Sequence, residues 1–165
     1  MRLKNQLIAK LITRFPILSK GLIDSYKPIE TVDIPWMPMS KLLTQCNVAL
    51  VTTSGVHQIN QKPFKMKDKE GDPSLRIIND TKNLMITHDY YDHADADRDI
   101  NIVFPIDRLM EFESEGIIGK VSDRHFGLMG HIIGIHIDTL VNVTAKEIIA
   151  SLKEDMVDVV ILTPG

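Results

Sequence analysis

The stretch HDYYDHADADRDIN, residues 88–101, is the densest collection of chemistry-bearing side chains in the sequence. Asp95, Asp97 and Asp99 alternate as in a calcium loop, but Ile100 stands where that loop needs glycine and Ile106 where it needs a bidentate glutamate. His88 and His93 with a nearby carboxylate offer zinc or iron donors, yet no HExxH or CxxC spacing supports such a site. No resident metal is therefore expected. Cys46 is the sole thiol and sits among Leu43, Val48 and Leu50, an environment that reads as packing rather than as an activated nucleophile. His125, His131 and His136 have the chemistry of general acids or bases, against the commoner role of hydrogen-bonded or surface histidine. Arg76, in DPSLR, has two readings: a bidentate clamp for a carboxylate, or an ion pair with Asp72.

The elements that must position these groups can be traced along the chain. Residues 1–15 place Leu3, Leu7, Ile8, Leu11, Ile12 and Phe15 on one stripe, the period of an amphipathic helix, which Pro16 stops; it is expected to pack on the domain or in an oligomer. The proline-rich stretch 28–38 suits an extended arm, with Trp36 packed down. Ser40 can start a short helix through Cys46, and residues 48–52 form a buried strand running into Thr53, Ser54 and Gly55. A polar excursion over 57–83 precedes a second short strand at 84–87. Pro105 opens a helix that Gly116 stops. Residues 132–137 give a third strand, Thr144 and Glu147 form a capping box for a helix to about Met156, and 157–162 give a last strand.

Alternating strands and helices predict an α/β fold, a mostly parallel sheet with helices on both faces, like half of a Rossmann or flavodoxin fold. Ligands in such sheets bind beyond the carboxyl ends of the strands, so 53–56, 88–92 and 163–165 are expected to gather at one edge.

At 165 residues with 44% hydrophobic content, the chain suits one core. A net charge of -3 and a pI near 6.0 supply no basic field for nucleic acid or an anionic membrane. With a lone cysteine, no leader-like opening and no apolar run of membrane-spanning length, a reducing cytoplasm is the expected location.

Read as phrases, PWMP…VALVTTSGVH, GDPSLRIIN, LMITHDYYDH, DADRDINIVFPIDRL, ESEGIIGK and VDVVILTPG appear in order and resemble the selenoprotein B family of glycine, sarcosine, betaine and D-proline reductases. HDYYDHADADRDIN is most similar to the D-proline branch. The resemblance runs from about Pro35 to Gly165, which divides the chain into an N-terminal helix and arm (1–34) and a reductase-type α/β domain (35–165). It implies reductive cleavage of a carbon–nitrogen bond in an amino acid or its N-methylated derivative. The selenocysteine nucleophile would follow Gly165 directly, so the domain is expected to be incomplete at its C-terminus, because the selenocysteine codon otherwise reads as stop. It further implies a partner subunit carrying a pyruvoyl group, a thiol or dithiol electron donor, a disulfide as formal acceptor, and an oligomer. Beside that loop, Thr53, Ser54, Gly55, Thr163 and Gly165 are expected to support the substrate. His88 and Asp89 would tune the nucleophile or move protons, and Asp97, Asn101 and Asp107 would order the loop or meet the partner. Two rival readings are a non-catalytic scaffold subunit and a metal-dependent hydrolase built on residues 88–99.

Overall fold

The computed structural model describes residues 2–20 and 35–165. At its centre lies β1 (Asn47–Thr52), whose NVALVT sequence is apolar and β-branched and whose last five residues are buried. On one side it pairs in parallel along its length with β7 (Val159–Thr163). On the other it pairs in parallel with β5 (Lys120–Val121) near its start and β6 (His125–Gly127) near its end. β3 (Arg76–Ile78) adds antiparallel to β6, so the sheet reads β7, β1, β5 with β6, then β3. The architecture is mixed α/β with a mostly parallel sheet.

The two-residue period of β1 divides the core. Val48 and Leu50 join the cluster containing Ile106 and Leu109 of α2 (Ile106–Ser114). Val51 joins the cluster containing Ile148 of α4 (Ala145–Glu154), together with Phe126 and Leu128. Burying each large apolar side chain contributes about 1.5–3 kcal/mol, which makes this central strand the frame to which the site is fixed. Gly116 ends the α2 segment at φ 70°, as its place after the helix implies.

Several expectations are corrected. Residues 132–137 form no strand: Gly134 takes φ 57° within the run, and a helical segment begins instead with α3 (His136–Thr139). That segment continues through a π turn (Leu140–Thr144) into α4, so Thr144 lies inside it and makes no cap; its hydroxyl donates to the Pro73 carbonyl at 2.7 Å. The strand expected at 84–87 exists as β4 (Leu84–Ile86) but pairs antiparallel with β2 (Val56–Gln58) in a separate ribbon, because the chain turns sharply at Gly55. The excursion over 57–83 thus contains the end of one strand and the whole of β3. The short helix expected up to Cys46 is only a 3-10 turn (Leu43–Gln45). Trp36 does not pack down and is 86% exposed; residues 28–34 of the arm lie outside the described residues.

The N-terminal helix, α1 (Arg2–Arg14), forms, but Leu3, Leu7, Ile8, Leu11 and Phe15 are exposed, with Ala9 turned inward. It touches the domain through a polar contact, Gln6 Nε2 donating to Asp89 Oδ1 at 2.9 Å. No described helix is long and apolar enough to cross a membrane.

Candidate functional site

The carboxyl ends of β1 and β7 meet at one backbone carbonyl. Val103, just after the 3-10 turn Ile100–Ile102, accepts from Thr163 Oγ1 at 2.7 Å and Thr52 Oγ1 at 3.1 Å, with Ser54 Oγ more distant at 3.5 Å. Thr52 and Ser54 also hydrogen-bond to each other through their hydroxyls. Backbone bonding continues past the strands, Thr53 N donating to Thr163 O at 3.0 Å. A buried hydroxyl without a partner would cost about 1–3 kcal/mol, so this shared acceptor allows polar side chains to sit at a dry strand end.

Two glycines allow the ends to close. Gly55 takes φ 78°, and a Cβ there would overlap the Thr87 carbonyl; its N–H donates to Leu128 O and its carbonyl accepts from Thr87 N, both at 2.9 Å. Gly165 lies so near Ser54 that a side chain would collide with the Ser54 backbone. Thr53, Ser54, Gly55, Thr163 and Gly165 therefore come together at one edge, and the Gly55 contact brings Thr87 and His88 to it.

The stretch 88–97 roofs this edge with aromatic rings. Tyr91 donates its hydroxyl to Ser54 O at 3.0 Å, and burial, helped by the Asp97 charge, raises its pKa. The His88 ring lies 4.7 Å from Tyr91 and accepts from Tyr90 N at Nδ1 (3.1 Å). Burial, reinforced by His93 and His131, lowers the His88 pKa to about 4, so the ring is neutral at pH 7. Tyr90 in turn stacks on His131 at 3.9 Å. Asp89 is buried beneath Gln6.

Further out, His93 Nδ1 bonds to Asp97 Oδ2 at 2.8 Å, and both border a cleft of about 180 Å³ shared with Gln6, Lys10, Tyr91 and Asp92. Asn101 donates to Asp99 and Asp107, while its amide oxygen accepts from Asp107 N at 2.9 Å, tying the loop to the first turn of α2. With Asp95 held by Arg98 as well, the carboxylates of 88–99 are directed to different partners. Among the described residues no three His, Cys, Asp or Glu side chains are placed to share a metal ion.

The remaining candidates lie elsewhere. Cys46 is buried at the opposite end of β1, its thiol donating to Leu42 O. Arg76 lies 3.8 Å from Asp72 and over the Phe64 ring, and donates to Lys62, Pro63, Ser74 and Leu75. His136 bonds to Asp68, and His125 is buried in the core. Sequence reasoning missed Thr52, Tyr91 and the Val103 carbonyl. The YY pair after His-Asp signalled the roof, but no local pattern marks a carbonyl that collects hydroxyls from two distant strands. The edge can fix two strand ends and present hydroxyl and backbone groups, but it holds no thiol of its own.

Comparison with known proteins agrees with this part of the chain. The family described as glycine/sarcosine/betaine reductase selenoprotein B matches residues 25–165. The chain is 37% identical over 150 residues to D-proline reductase subunit gamma of Acetoanaerobium sticklandii, covering 88% of this chain and 60% of that protein. It is 33% identical over 139 residues to glycine reductase complex component B subunit gamma of Carboxydothermus hydrogenoformans, covering 79% and 30%. It is 30% identical over 128 residues to betaine reductase complex component B subunit beta of Peptoclostridium acidaminophilum, covering 74% and 29%. The chain thus spans less than two thirds of the length of each. No solved structure matches.

Proposed function

Since the chain belongs to the glycine/sarcosine/betaine reductase selenoprotein B family, we propose that it is the strand-end portion of an amino-acid reductase subunit, of D-proline or glycine/betaine/sarcosine type. The reaction is reductive cleavage of a carbon–nitrogen bond in the cytoplasm, with a thiol or dithiol as electron source and a disulfide as the formal acceptor. The observation that carries this reading is the junction of β1 and β7, where Gly165 lies against Ser54 beneath the Tyr91 roof.

A selenocysteine in residues following Gly165 would lie at that junction and supply a nucleophile ionised at neutral pH. The junction fits it: the Val103 carbonyl fixes both strand ends, and only glycine can occupy position 165 against Ser54. In this reading Thr53, half-buried beside the junction, orients the substrate with Gly55, while Ser54 and Thr163 hold the strand ends. Neutral His88, its Nδ1 already bonded by Tyr90 N, tunes the nucleophile through its ring rather than by taking a proton, and Asp89 lies buried beside it. Asp97, Asn101 and Asp107 shape the face presented to the partner subunit, which carries the pyruvoyl group that holds the substrate amine.

The test is the nucleotide sequence after the Gly165 codon, joined to translation with selenocysteine decoding. An in-frame UGA, a continuing frame and a selenium-containing product by mass spectrometry are expected. A true terminator or an ordinary codon with no selenium would replace the reading with that of a scaffold subunit.

A further inference from the structure

The strand beside β1 is interrupted, and the interruption builds a second polar pocket away from the strand-end edge. β5 pairs with Asn47 and Val48 and β6 with Val51 and Thr52, so residues 122–124 loop out between them. The Leu50 N–H in the gap donates to His125 Nδ1 at 3.0 Å. An accepting ring nitrogen carries no proton, and burial holds the His125 pKa down to about 4 against a small opposing effect of Asp123. At neutral pH the ring proton is therefore on Nε2.

That Nε2 has no partner among the described residues, although His125 is only 1% exposed. The hydroxyl of Ser122, 5% exposed, is likewise without a partner. Both residues line a cavity of about 330 Å³ with Asn79 and Thr81, and Lys120 stands among its walls. The carboxylates in that wall are engaged, Glu113 accepting from Val121 N and Asp123 from Lys120. The buried Ser122 hydroxyl without a partner costs about 1–3 kcal/mol, a penalty that an incoming oxygen removes, and His125 Nε2–H offers that oxygen a second donor.

We infer that this pocket binds a small ligand presenting an sp² oxygen, a carboxylate or an amide carbonyl, to His125 Nε2–H and the Ser122 hydroxyl. Such an oxygen has two lone pairs and accepts from both donors at once. The His125 Nε2–H, which can only donate, selects an acceptor oxygen over a bare cation. The site is independent of the strand-end reading, since it uses no residue of that edge.

The experiment is a titration of the 15N-labelled chain with acetate and, separately, with acetamide, following the His125 ring and Ser122 amide signals by NMR. A saturable shift with at least one probe is expected, weakened about tenfold in Ser122→Ala, whose stability should match or exceed that of the parent because the substitution removes an unbonded hydroxyl. Saturation by acetate alone identifies the ligand as a carboxylate, and saturation by acetamide identifies a carbonyl. Shifts that never saturate, or an affinity unchanged in Ser122→Ala, overturn the inference. A loss of stability in Ser122→Ala also overturns it, because the hydroxyl would then already be bonded to a resident water.

Discussion

His88 and His125 are buried imidazoles with pKa values lowered to about 4, yet their hydrogen bonding differs. His88 accepts from Tyr90 N, donates to the Met129 backbone carbonyl and packs against two tyrosine rings. His125 has one nitrogen tied to β1 and the other open to a cavity. His57 is a third case, with both nitrogens bonded, to Gln58 O and the Thr87 hydroxyl at 2.8 Å each. Burial and a lowered pKa are common to all three and so cannot separate scaffold from site. An unsatisfied donor facing a cavity can.

Acidification gives the largest effect by which this pairing can be tested. Each ring titrates near 6.5 when unfolded and near 4 when folded, so the unfolded chain takes up protons first as the pH falls. Their stabilisation is complete above about pH 6.5 and is lost progressively down to about pH 4, by about 3 kcal/mol per ring. Urea midpoints measured from pH 7.5 to pH 4 should show this loss, and His88→Phe and His125→Phe should each remove one share of it. A flat profile over that window contradicts the neutral, buried assignment.

At constant pH the two positions should still separate. His125→Leu leaves the Leu50 N–H without an acceptor inside the central strand and should cost about 2–4 kcal/mol in denaturant unfolding, the upper half of what buried polar losses cause. His88→Phe keeps the ring packing and should cost about 1–2 kcal/mol. Equal losses would show that the sheet position of His125 confers nothing special. The smallest effect is at the surface, where Asn101→Ala breaks the link between Asp99 and Asp107 and should cost about 1 kcal/mol or less.

The same contrast explains what was legible in the sequence. β1, β7 and α2 could be read because periodicity, Pro105 and Gly116 encode them locally. The gathering of Thr53 and Thr163 also followed, since a parallel sheet brings its carboxyl ends together, whereas His88 reaches the edge from the separate β2–β4 ribbon through the Gly55–Thr87 contact. What failed depended on distant partners. An apolar run at 132–137 became a loop and helix start because glycine interrupts it, and Thr144 bonds to Pro73, 71 residues away, instead of capping. The role of His125 was invisible because its nitrogen completes a gap that exists only when β5 and β6 line up on β1.

The most direct test of the strand-end site is Gly165→Val in the full reading frame, assembled with its partner subunit and assayed for reductive carbon–nitrogen cleavage. A side chain there meets Ser54 and must displace the segment following β7. Displacement of reacting groups by about 1 Å can cost about 100-fold in rate, so activity should fall by about that factor while the thermal midpoint changes little. Full activity in that variant would contradict the placement of the reductase site at the junction of β1 and β7.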